Sequence, residues 1–177
     1  MAHHFKLGHY CFVSYAWGDD ARERWVRGLS RDLENAGLRV ILDRKDNPQV
    51  GANVARFVSR IEESDFVVAV GTPLYRLKYE NEVSPSGSVV AAEVNLINLR
   101  LTRMNREAET VLPLLLEGDE RASLPPLMRG KVYADFGRDD LYFPSLFDLV
   151  LTLYRIPFEH PAVADLRDAL RGRFHIA

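Results

Sequence analysis

The run Phe66-Val67-Val68-Ala69-Val70 limits what this chain can fold into more than any other segment. Consecutive apolar residues leave no polar stripe for solvent, so a strand made from them must be covered on both faces. Such a strand belongs at the centre of a parallel sheet, and parallel neighbours need crossover connections of helix length. The surrounding sequence supplies that alternation. Residues 10–16 (YCFVSYA) are aromatic and β-branched and predict a first strand. Asp19 or Asp20 then serves as an N-cap for a helix carrying Trp25, Val26, Leu29 and Leu33, which stops before Gly37.

Residues 38–43 (LRVILD) predict the second strand, followed by a polar loop, RKDNPQVGAN. Val54, Phe57, Val58 and Ile61 mark a second helix ending near residues 64–65. After the central strand, GTPLYRLKYENEVSPSGS is rich in Ser, Pro and Gly and reads as irregular, with residues 75–86 a candidate flap. A helix bearing Glu93 follows and runs to about residue 103. Residues 110–116 (TVLPLLL) predict a fourth strand, in which Pro113 needs a position away from full ladder pairing. Residues 131–136 (KVYADF) predict a fifth strand, and residues 142–155 a closing amphipathic helix.

This order gives an α/β domain, a flavodoxin-like five-stranded, mainly parallel sheet of order 2-1-3-4-5 with helices on both faces. Residues 8–156 make up the domain. Residues 157–177 form a C-terminal extension with a short amphipathic pattern (Val163, Leu166, Ala169, Leu170), open to packing on the domain or to linking a partner region. Ligands of such sheets bind beyond the carboxyl ends of the strands. Three segments converge there: Ser14-Tyr15-Ala16-Trp17 after strand one, Asp43-Arg44-Lys45 after strand two, and the segment leading to the Glu93 helix.

A chain of 177 residues suits one domain, and a net charge of −2 without a basic patch argues against nucleic acid. The single cysteine, Cys11, excludes an internal disulfide and fits a reducing, cytoplasmic setting. The opening MAHHFKLGHY lacks the apolar core of a signal peptide, and no apolar stretch is long enough for a bilayer, so no membrane contact is expected. His3, His4, His9, His160 and His175 lie near the termini without ligand spacing, so no metal is expected.

Glu93 is the one charged residue between Glu82 and Arg100, set in the run VVAAEVNLI. A carboxylate there must find a polar partner, reach water or shift its pKa, which makes it a candidate working group. Other chemistries of this architecture lack their residues. There is no GxxxxGK[ST] loop, no GxGxxG after strand one, no GxSxG elbow, and no acid where strand three ends in Val70-Gly71-Thr72-Pro73. One reaction suited to a single carboxylate is cleavage of an N-glycosidic bond whose leaving group departs neutral, as nicotinamide does from NAD+. Ordinary glycoside hydrolysis normally needs two carboxylates.

The blocks CFVSYAWGDD, GLRVILDRKDNPQVGANV, IEESDFVVAVGTPLY, SGSVVAAEVNLI and KVYADF, in this order, resemble a Toll/interleukin-1 receptor (TIR) domain of the bacterial type, near the related SEFIR group. The resemblance covers roughly residues 10–155. It implies an NAD+ glycohydrolase that releases nicotinamide and ADP-ribose or a cyclic isomer. NAD+ is then substrate, with no resident cofactor. It also implies activation by self-assembly through TIR-TIR contacts, a role in anti-phage defence, and a sensor domain or partner chain as a further partner. Glu93 falls at the family's catalytic glutamate, and Ser14, Tyr15, Ala16 and Trp17 at the loop lining the nicotinamide-ribose pocket, with Asp43, Arg44 and Lys45 beside it. Asp46, Asn47, Pro48, Gln49, Val50 and Gly51 match the BB loop that reaches a neighbouring subunit. Val89 departs from the pattern, since many active members carry Trp four residues before the glutamate. A non-enzymatic TIR adaptor and an enzyme like the nucleoside deoxyribosyltransferases remain open alternatives.

Overall fold

The apolar run becomes β3 (Phe66–Gly71) in the computed structural model, and all six of its residues are buried. The structure describes residues 9–16, 20–42, 54–80, 89–102 and 108–174. In chain order the elements are β1 (Tyr10–Ser14), α1 (Asp20–Asn35), β2 (Arg39–Leu42), α2 (Val54–Glu63), β3, α3 (Pro73–Glu80), α4 (Val89–Thr102), β4 (Val111–Leu115), α5 (Glu120–Ser123), β5 (Ala134–Asp135), α6 (Tyr142–Leu153) and α7 (Pro161–Phe174). The strands pair in the order β2-β1-β3-β4-β5, and each recorded pairing is parallel. This is the flavodoxin-like arrangement expected from the sequence.

The two-residue periodicity of β3 divides the interior. Phe66, Val68 and Val70 join Cys11, Val13, Val26, Leu29, Leu33, Leu114, Leu149 and Leu153 on the face covered by α1 and α6. Val67 and Ala69 join Phe12, Ala16, Ile61, Tyr75, Tyr79, Val94 and Ile97 on the face covered by α2, α3 and α4. Trp25 is half-buried and meets Phe136 and Tyr142 edge-on at 5.4 and 6.2 Å. The Tyr142 hydroxyl donates to Asp32 at 2.6 Å and ties α6 to α1; burial, then that bond, raises its pKa.

Local signals end the elements where the backbone demands it. Gly37 takes φ 91°, with Gly37 N–H donating to Glu34 O and Leu38 N–H to Leu33 O, the paired bonds of a Schellman stop. A side chain at residue 37 would also meet the Tyr154 hydroxyl at 2.8 Å. The Arg100 guanidinium on α4 donates to the carbonyls of Ile61 and Ser64, at 2.5 and 2.9 Å, and closes the end of α2. Pro113 pairs in register with Ala69, while the β5 ladder begins only at Leu114, so its missing N–H lies outside that ladder.

Three expectations need correction. Residues 73–80 of the segment read as irregular form α3: Thr72 caps it, its hydroxyl accepting from Tyr75 N–H at 3.0 Å, and Pro73 fits the first turn. The fifth strand is Ala134–Asp135 rather than residues 131–136, because Val132 and Tyr133 lie exposed at the sheet edge. β1 closes at Ser14, two residues short of Ala16.

The C-terminal segment, which the sequence leaves undecided, packs through α7 onto α6. Arg167 grips Asp148 with two bonds of 2.6 and 3.0 Å, Arg171 adds a third at 2.7 Å, and Arg167 stacks 4.0 Å above the Phe158 ring. Among the described residues no helix is long and apolar enough to cross a membrane.

A tight point of the core gives a test. A Cβ at Gly71 would sit 2.5 Å from Leu124 Cδ2 and 2.8 Å from the Leu114 carbonyl oxygen. Gly71→Ala should therefore destabilise the domain by about 1–3 kcal/mol, read as a lower urea midpoint at unchanged m-value.

Candidate functional site

The carboxyl edge of the sheet collects the polar groups that the central strands themselves exclude. Alternation at the end of β1 sends Ser14 and Ala16 toward the α2–α4 face and Tyr15 toward the opposite one. Ser14 is 2% exposed, and its hydroxyl hydrogen-bonds the Tyr75 hydroxyl of α3 at 3.0 Å. Ala16 is buried in the cluster that includes Tyr75, Tyr79, Val94 and Ile97. Tyr15 is half-buried against the α1/α6 cluster instead. The predicted loop thus splits, with two of these three residues meeting the α3–α4 side.

Position 93 lies in the second turn of α4. The helix direction follows from its far end, where Arg100 holds the last carbonyls of α2 just before β3 begins. At about 1.5 Å per residue, Val89 stands roughly 16 Å from Arg100 along the axis. β3 spans about the same length, so the first turn of α4 reaches the carboxyl edge and position 93 lies about one turn inside it. The side chains of Glu93 and Val89 lie outside the described residues.

Trp17 and the whole of 43–51, which contains Asp43, Arg44, Lys45, Asp46, Asn47, Pro48, Gln49, Val50 and Gly51, likewise lie outside the described residues. The structure therefore brings together Ser14, Ala16 and the helix of Glu93, and sets Tyr15 apart. It adds a residue the sequence reading passed over, Tyr75, 5% exposed and bonded to Ser14. The signal for it was present in Thr72-Pro73, a cap followed by a first-turn proline.

The rim is polar and paired. Arg22 near the start of α1 meets Glu117 after β4 through contacts of 2.8 and 2.6 Å, an exposed pair worth about 1 kcal/mol or less. Glu117 O also accepts from the Ser123 hydroxyl. Among the described residues no group of three His, Cys, Asp or Glu side chains is placed to hold a metal ion. The chain's only thiol, Cys11, is fully buried, and desolvation pushes its pKa up to about 12. Nucleophilic attack requires thiolate, so Cys11 is not the working group at neutral pH.

That thiol assignment is directly measurable. Because the raised pKa leaves Cys11 protonated up to about pH 12, a disulfide reagent at pH 8 should leave the native protein unmodified. One thiol per chain should react once denaturant is added.

The TIR domain family pattern matches residues 11–148. A prokaryotic SEFIR domain superposes with a TM-score of 0.65 at 23% identity, covering 87% of this chain and 97% of that one. At that identity the likeness shows the fold alone. The TIR domains of an activated Roq1 resistosome, described as directly recognizing the pathogen effector XopQ, align at 17% identity with a TM-score of 0.45, over 96% of this chain and 86% of theirs. No curated protein matches the chain.

Proposed function

The chain belongs to the TIR domain family, and on that premise we propose that it is an NAD+ glycohydrolase with Glu93 as its catalytic residue. The observation that carries this reading is the course of α4. Anchored by Arg100 at the amino edge of the sheet, the helix delivers position 93 toward the carboxyl edge, on the side where Ser14 ends β1 and Ala16 follows it. The family match spans both segments, which supports the same reading.

The chemistry needs one acid. The bond between ribose C1′ and the pyridinium nitrogen breaks with its electron pair returning to the ring, so nicotinamide leaves neutral and no general acid is required. Positive charge develops on the ribose, and a carboxylate held among apolar side chains stabilises it more strongly than it would in water. Water then adds at C1′ and loses a proton, giving ADP-ribose; capture by an adenine nitrogen gives a cyclic isomer. Ser14, Ala16 and Trp17, with Asp43, Arg44, Lys45 and Val89, form the substrate wall in this proposal, and Tyr15, which packs on the opposite face, is left out of it. Residues 46–51 reach a second copy, so activity rises with self-assembly. Cytoplasmic action in anti-phage defence, with a sensor domain or partner chain as a further partner, completes the reading.

The test is nicotinamide release from NAD+ measured across protein concentration. Wild-type turnover per chain should rise as the protein assembles. Glu93→Gln should lower it by about 10²-fold or more while leaving the melting temperature within a few degrees. Full activity in that variant would remove Glu93 from the mechanism. An assembled wild type that leaves NAD+ intact would turn the reading to an adaptor.

A further inference from the structure

Helix α3 is the element the sequence reading missed, and its polar contacts go to both walls of the proposed cleft. It is fixed directly to the end of β3: the Thr72 hydroxyl accepts from Tyr75 N–H at 3.0 Å, and Thr72 is 2% exposed. Its outer side is pinned as well, with Arg76 Nη1 donating to Arg121 O at 2.6 Å and Arg76 paired with Glu80 at 2.9 Å. Its inner side presents Tyr75 and Tyr79, one helical turn apart, with ring centroids 6.0 Å from each other. Both are more than nine-tenths buried.

The two phenols point to different elements. Tyr75 shares a hydrogen bond of 3.0 Å with Ser14, at the end of β1, across 61 residues of sequence. Tyr79 donates to Asn98 Oδ1 on α4, five residues beyond Glu93. A buried aromatic needed only to fill the core requires no hydroxyl, and burying one demands a partner. Here the partners lie one on each wall.

We infer that α3 is a positioning strut, in which Tyr75 sets the β1 loop and Tyr79 sets the depth of the Glu93 helix, so that the two walls keep a fixed separation. Its geometry stands on these hydrogen bonds and the burial of both rings; its consequence for turnover rests on the glycohydrolase reading. Neither tyrosine touches substrate in this role. Each acts through a neighbour, and a displacement of about 1 Å in a reacting geometry is enough to slow an enzyme by on the order of 10²-fold.

Tyr75→Phe and Tyr79→Phe remove the hydroxyls and keep the rings. Assayed as the assembled protein, Tyr75→Phe should lower kcat/KM for NAD+ by roughly 5- to 30-fold, mostly through KM, because Ser14 belongs to the substrate wall. Tyr79→Phe should lower it by a similar factor, mostly through kcat, because α4 carries the carboxylate. Leu77→Ala, at a 55% exposed position of α3, should match the wild type. Adding Ser14→Ala to Tyr75→Phe should cost little beyond the worse single change, since both remove one contact. Amide exchange should quicken at residues 14–16 in Tyr75→Phe and at residues 94–98 in Tyr79→Phe. Wild-type kinetics in both variants, or losses that merely track melting temperature without the split, would overturn the inference. If the wild type releases no nicotinamide, the glycohydrolase reading fails on its own. The exchange data then decide the strut, and unchanged protection at both segments rejects it.

Discussion

Double-sided burial of β3 is the constraint from which the rest of the structure follows. With no polar face to offer water, the strand must pair on both edges and be covered on both faces, by α1 and α6 on one side and α2, α3 and α4 on the other. Parallel pairing with β1 and β4 forces each connection to cross a face as a helix and return to the amino edge. Every strand then ends at one edge, and the segments leaving β1, β3 and β4 gather there. A cleft at that edge is a consequence of the topology, before any particular chemistry is installed.

The α2–α4 face is where that cleft acquires definition. Arg100 fixes α4 lengthwise through the carbonyls at the end of α2, and Tyr79 fixes it sideways through Asn98. Tyr75 fixes the end of β1 through Ser14. Buried hydrogen bonds of this kind contribute modestly to stability, about 1 kcal/mol each, but leaving any of them unmade costs more. Their effect is to favour one arrangement over near alternatives.

Much of the fold was legible along the chain. The continuous run of β3, the helical spacing of Val26, Leu29 and Leu33, and the stop at Gly37 each carry their own physical reason and appear as read. Helix α3 was not legible, because the Ser, Pro and Gly of residues 84–88 coloured the reading of residues 73–80, where Thr72-Pro73 was the opposing signal. The fifth strand was read too long because a β-branched and aromatic pair, Val132 and Tyr133, looks like strand but stays exposed beside a two-residue edge. Of the site, Ser14, Ala16 and the helix of Glu93 were named from sequence and fall on one side of the sheet. Tyr15 was named with them, yet strand alternation turns it to the other face.

The sequence by itself determined the parallel α/β plan, the strand order and the isolation of Glu93 in an apolar run, because these depend on periodicity and on the cost of burying charge. The tertiary structure decided which residues stand together. Ser14 and Tyr75 are 61 positions apart, and Arg100 and Ser64 are 36 apart, so no local pattern announces either contact. Nor does the sequence fix the seat of α7, whose hold on α6 comes from two arginines converging on Asp148 rather than from an apolar stripe. Periodicity records which way a residue faces; only packing selects the partner it meets.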